Sequence, residues 1–149
     1  MKLPRGATGF NAPPGEEPDL GTFTTVCYHA ARAIGATVTG VIKADVTPSF
    51  HTIDVAQAQH HIAVLRHTTV PLVAFARPRT SGDATITFID RPDLAAAITN
   101  LTDAQILTAE QLGIPLPQAD LSALGPHEHD QINYWKPNTV GELLFNFWD

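Results

Sequence analysis

Apolar positions recur at helical spacing over 21–34, where Phe23, Val26, Cys27, Ala30, Ala31 and Ile34 fall on one face. Gly35 then supplies a left-handed stop. The β-branched run 37–43 predicts a strand, and a short strand through 50–53 follows. Over 56–66 the spacing turns helical again, with Ala58, Ile62 and Leu65 inward. The continuous apolar run 70–76 predicts a buried strand, Pro71 being tolerated at its start. A turn at 77–83 leads into the alternating segment 85–90, so these two strands form a central hairpin. Pro92 opens a helix over 91–98, and 105–107 reads as a short strand. Thr108 and Gln111 have the spacing of a capping box for a single turn over 108–113, and 128–135 is a short helix.

The densest apolar block is the stretch 134–149, which holds both tryptophans and two of the seven phenylalanines. Pro137 stops any helix arriving from upstream and biases Lys136 away from helical dihedrals. Asn138 or Thr139 is placed to cap a new helix from Val140, with Glu142 positioned to reach back from Thr139 and close a box. Val140, Leu143, Leu144, Phe147 and Trp148 cover most of its circumference, so it is expected to be buried. Glu142, Asn146 and Asp149 recur as a narrow polar stripe. Asp149 would put a carboxylate at the negative end of the helix dipole, which predicts an Arg or Lys beside it.

Helices interleaved with a hairpin give an α/β or α+β fold: one mixed sheet of four or five strands, flanking helices and a buried C-terminal helix. The proline- and glycine-rich opening predicts an extended arm over 1–19, and 20–149 then forms a single globular domain. A length of 149 residues, 44% apolar and 16% charged, suits one domain with its own core. No apolar run reaches the roughly 20 residues that span a bilayer, and the first residues lack the apolar core of a secretory signal. Cys27 is the single cysteine, so no internal disulfide forms. The expected location is the cytoplasm.

Charge narrows the partners. The net charge is −6 and the basic residues are scattered, which excludes nucleic acid as a main partner because phosphate binding needs a concentrated positive face. A basic protein surface is the natural complement. No membrane partner is expected, and a homodimer built on the tail helix remains open.

Histidine is the one enriched chemical residue, at positions 29, 51, 60, 61, 67, 127 and 129. His60 and His67 would share a helical face, but about 10.5 Å of rise separates them, too far for one metal ion. The run His127-Glu128-His129-Asp130 offers ligand types without a metal spacing, and no His-Glu-x-x-His or Cys-x-x-Cys occurs. Neither a metal site nor a cofactor is expected. Gly6-Ala-Thr-Gly9 imitates a phosphate loop, but no strand precedes it and no Lys-Ser/Thr follows. The residues with catalytic chemistry that convergence could assemble are His60, His61 and His67 with a carboxylate from Asp54 or Glu142. The candidate binding residues are Trp135, Glu142, Asn146, Trp148 and Asp149.

The pattern Tyr134-Trp135-x-Pro137-x-Thr139-Val140-Gly141-Glu142, then Phe145-Asn146-x-Trp148-Asp149, resembles the ending of short proteins from high-GC actinobacteria. The Arg5-Gly-Ala-Thr-Gly-Phe10 opening shares in it. The resemblance implies no activity and carries over no catalytic residue. In outline, small acidic single-domain chains of this kind are also similar to toxin-immunity proteins. The resulting expectation is a non-catalytic protein-binding module, an immunity-like or accessory factor, rather than an enzyme. The alternative is a small hydrolase or metal-assisted enzyme using the central histidines.

Overall fold

The computed structural model describes residues 1–10, 20–44, 48–79 and 85–148. Its helices are α1 (Leu20–Ala33), α2 (Pro92–Thr99), α3 (Ala109–Leu112), α4 (Pro126–Trp135) and α5 (Val140–Leu144). The strands are β1 (Thr37–Ile42), β2 (Phe50–Gln57), β3 (His60–His67), β4 (Leu72–Ala76), β5 (Phe88–Ile89) and β6 (Gln105–Ile106). They form one α+β sheet in the order β1-β2-β3-β4-β5, antiparallel throughout, with β6 added parallel to β4. Among the described residues no helix is long and apolar enough to cross a membrane.

The sheet divides the core in two. Alternate residues of the central strands, Ile53, Val55, Ile62, Val64, Val73 and Phe75, pack beneath α1 and α2, where they meet Phe23, Cys27, Leu94 and Ile98. The intervening residues Phe50, Ala63, Leu65, Leu72, Ala74 and Ala76 face Leu112, Leu124, Val140, Leu143, Leu144 and Phe145. Residues of the opening segment enter this second layer: Leu3, Ala7 and Thr8 are fully buried. The remainder of the expected 1–19 arm, residues 11–19, lies outside the described residues.

Burial on both faces corrects one prediction. Residues 56–66 are not a helix: they are the end of β2, a tight turn in which Ala58 takes φ 53°, and most of β3. A strand covered on both sides has no polar alternation to announce it, so the Ala58, Ile62, Leu65 spacing imitated a helical face. The principal hairpin is therefore β2–β3, paired from Phe50↔His67 to Gln57↔His60. The expected β4–β5 pairing is present but short. Thr87 still accepts from the Arg77 amide, although only Phe88 and Ile89 are strand.

The C-terminal helix is also shorter than its pattern. Thr139 caps it as expected, its hydroxyl accepting from the Glu142 amide at 3.2 Å. The Glu142 carboxylate reaches one residue further back and accepts from the amide of Asn138. The helix ends at Leu144 because Ser49 takes over its hydrogen bonds. The Ser49 hydroxyl donates to the Leu144 carbonyl at 2.7 Å and accepts from the Asn146 amide at 3.0 Å, and the Ser49 amide donates to the Asn146 carbonyl. Beyond the helix, Phe147 packs edge-on against Phe50 at the start of β2.

Candidate functional site

The cleft of interest is built where α4 hands over to α5. Lys136 takes a left-handed conformation (φ 52°, ψ 58°) after Trp135 and reverses the chain, and Pro137 prevents the helix from resuming. The Asn138 carbonyl accepts from Leu116, and the Val140 amide donates to Ile114, so the returning strand is pinned on the α3 side. Gly141 then lets α5 approach β5. A Cβ there would lie 2.5 Å from Cε2 of Phe88, a distance side chains do not adopt, and a tight 3.0 Å from the Leu112 carbonyl oxygen.

Aromatic rings line the space between these elements. Phe145 tilts against Phe88 (5.7 Å between centroids) and meets Phe50 edge-on, while Phe147 meets Phe50 at 5.4 Å. Trp135 and Trp148 lie parallel, 2° from coplanar orientation with centroids 6.2 Å apart, and so join the end of α4 to the tail. They border a cleft of about 570 Å3 with Ile86, Phe88, Phe145 and Phe147, and its polar edge is Lys136, Asn138, Glu142 and Asn146. Four of the five predicted binding residues, Trp135, Glu142, Asn146 and Trp148, line this one cleft. Asp149 and any partner for its carboxylate lie outside the described residues.

The roles within the set differ. Asn146 is structural: its amide group donates to the carbonyls of Thr8 (2.9 Å) and Leu143 (2.7 Å), and its oxygen accepts from the Trp148 amide. Trp135, 38% exposed, is fixed by an indole hydrogen bond to Gln131 at 3.0 Å and keeps its ring accessible. Phe88, Phe147 and Lys136 were missed from the sequence. Only the alternation of 85–90 and the aromatic density of the tail hinted at the first two.

The candidate catalytic residues are dispersed. His60 and His61 are exposed beside the β2–β3 turn, His67 is buried at the far end of β3, and Glu142 sits in the cleft on α5. Asp54, on β2, is the one candidate electrostatically coupled to a histidine of the set: burial raises its carboxyl above the ordinary range and His61 acts against that. Among the described residues no three His, Cys, Asp or Glu side chains gather as a metal site. Burial pushes the Cys27 thiol up to about 12, far from nucleophilic thiolate character.

The run 127–130 divides. His127, His129 and Asp130 are exposed, whereas Glu128 is fully buried. Its carboxylate accepts from the amides of Gly6, Thr8 and Gly125 and from the Thr8 hydroxyl at 2.7 Å. The 6–9 turn, with Gly6 at φ 93° and Gly9 at φ 90°, is thus an anion cradle whose anion belongs to the chain itself.

His67 closes the same assembly. Nδ1 accepts from the amides of Thr69 and Val70, so the ring proton lies on Nε2, which donates to the Ala7 carbonyl at 2.8 Å. Burial pushes its pKa down to about 4, the Ala7 hydrogen bond opposing and Arg66 reinforcing the shift. A depressed histidine pKa means that the unfolded chain takes up a proton first as pH falls. Stability from this site is therefore complete above about pH 6.5 and is lost progressively toward pH 4, on the order of 3 kcal/mol in all. Urea midpoints measured across that window should fall with acid, and the slope should flatten in His67→Gln. His51, lowered by burial and then by Arg66 and Lys43, contributes in the same direction, so some slope remains in that variant.

Compared with protein-family models, with curated proteins and with solved structures, the chain gives no significant match.

Proposed function

We propose that the chain is a non-catalytic binding protein whose C-terminal cleft receives a basic, partly apolar segment of another protein, in the manner of an immunity or accessory factor. The observation that carries this reading is the exposed aromatic surface bordering a formed cleft. Tyr134 is 76% exposed and meets the accessible Trp135 edge-on at 5.1 Å, directly beside the 570 Å3 space. Trp and Tyr at such a border anchor partners, because large rings desolvate much area at small conformational cost.

Charge selects the partner. At −6 the chain attracts basic surfaces at long range, and Glu142 supplies a carboxylate inside the cleft. Lys136 lines it too, so a partner's Lys or Arg docks on the Glu142 side, over the ring faces that favour a cation. Selection of displayed random peptides against the intact chain tests this. Peptides combining Lys or Arg with aromatic or aliphatic residues should be enriched. Trp135→Ala should weaken the best of them by about 2 kcal/mol, roughly 30-fold, while the variant stays folded with a melting temperature lower by a few degrees, since the stack on Trp148 is lost. Enrichment of acidic peptides, or binding that persists in both Trp135→Ala and Glu142→Gln, would refute the reading.

A further inference from the structure

The two walls of the aromatic cleft are held in different ways. The tail wall is packed: α5 buries Val140, Gly141, Leu143 and Leu144. On the other wall, α4 buries a single side chain, that of Glu128, with Gln131 and Ile132 half-buried and its other residues exposed. Past its own caps, the hydrogen bonds that join α4 to the rest of the described fold all end on the Glu128 carboxylate. Their donors are the amides of Gly6 and Thr8 and the Thr8 hydroxyl. The Trp135 indole bond stays inside the helix, at Gln131. What remains is Ile132 at the edge of the core, the Phe10 ring edge-on to His127 at 5.2 Å, and the stack of Trp135 on Trp148.

Both ends of this segment are fixed. Leu124 is buried ahead of it, and behind it the Asn138 carbonyl accepts from the Leu116 amide while Thr139 bridges Pro115. Residues 125–138 are thus anchored at two bases and docked in the middle mainly through one carboxylate. A segment that buries little apolar surface opens at a lower free energy than the core. Opening here also strands few polar groups. Glu128 keeps its 2.9 Å bond from the Gly125 amide, which travels with the start of the helix, and the donors of Gly6 and Thr8 pass to water.

We propose that residues 125–138 form a latched flap over the aromatic cleft. Released from the 6–9 turn as one unit, α4 carries Trp135 off Trp148 and admits the partner's segment, and Glu128 then latches it closed over that segment. The entry step rests on the cleft being the binding site, whereas the opening of the flap does not.

Native-state hydrogen exchange of the intact chain in a series of low urea concentrations tests the opening. Gly6, Thr8 and the amides from His129 to Lys136 should exchange through one shared opening with little dependence on urea. It should occur at least about 100-fold more often than the opening that exposes Ile53 and Val64 in the central strands. The 10-residue helix is too short to persist once undocked, so its own bonds do not hide the event. Thr8→Val keeps the side-chain shape and deletes one donor to the carboxylate, so the shared opening should become about tenfold more frequent.

Entry is read by stopped-flow fluorescence with a peptide from the selection above, since both tryptophans of the chain are the stacked pair. In Thr8→Val the association and dissociation rates should both rise about tenfold, with Kd within about threefold of the parent, because the latch is closed in the free and the bound protein alike. A variant that was merely less stable would not bind faster. Exchange of Gly6 and Thr8 only together with Ile53 and Val64 overturns the flap, and so does an unchanged association rate in Thr8→Val. If the selection yields no peptide, it is the partner reading that falls, and the exchange result alone decides the flap.

Discussion

A chain ending at Thr139 is expected to lose its cooperative thermal transition. Truncation there removes Val140, Leu143 and Leu144, all fully buried, together with Phe145 at 3% and Trp148 at 9% exposure. Each large side chain contributes about 1.5–3 kcal/mol when buried. Five of them together rival the 5–15 kcal/mol that holds an ordinary domain folded. The loss also uncovers Leu65 and Phe50 on the sheet, strands Ser49, and removes the Val140 amide bond to Ile114. Leu144→Ala gives a graded version, destabilising by about 2–5 kcal/mol because the surrounding layer cannot collapse into the space. Calorimetry on both proteins is the check. A truncated chain that melts cooperatively at an unchanged temperature would show that the tail is an appendage.

Glu128→Ala should be the most damaging single polar substitution. One carboxylate satisfies three backbone amides and a hydroxyl, and it joins α4 to the opening segment some 120 positions earlier in sequence. Its removal orphans buried donors that each cost about 1–3 kcal/mol, so a net loss of roughly 3–5 kcal/mol is expected even after partial hydration. Glu128→Gln recovers only part of this, since its amide nitrogen would face N–H groups that cannot accept. Urea denaturation measures the loss, and hydrogen exchange should show protection at Gly6 and Thr8 failing first. The exposed neighbour His129→Ala should stay within about 0.5 kcal/mol of the parent. Equal stability of Glu128→Ala and His129→Ala would remove the carboxylate from its place in the fold.

Both predictions concern groups whose partners are distant in sequence, and that separates what could be read from the chain from what could not. The Thr108–Gln111 box and the Thr139 cap were legible because each bond spans only three residues. The face of α1 and the stop at Gly35, which takes φ 76°, followed from side-chain spacing and from the freedom glycine has at positive φ. The candidate cleft was half legible. Trp135, Glu142 and Trp148 stood out because the tail concentrates aromatic residues, but nothing local said that Phe88 would close the opposite wall against Gly141.

The sequence by itself therefore determined the caps, most helix boundaries, the buried character of the tail and the acidic surface, all of them products of short-range hydrogen bonding, periodicity and net charge. Tertiary structure decided that 56–66 would be strand, since cover on both faces of the sheet erased the alternation that marks one. It decided that the tail helix would stop at Leu144, where Ser49 offers its carbonyl a better partner than another turn. It also chose Glu128 among four adjacent polar residues, because only that side chain meets the amides of the 6–9 turn. In each case the deciding group lies about eighty or more positions away or on a neighbouring layer, beyond the reach of any local pattern.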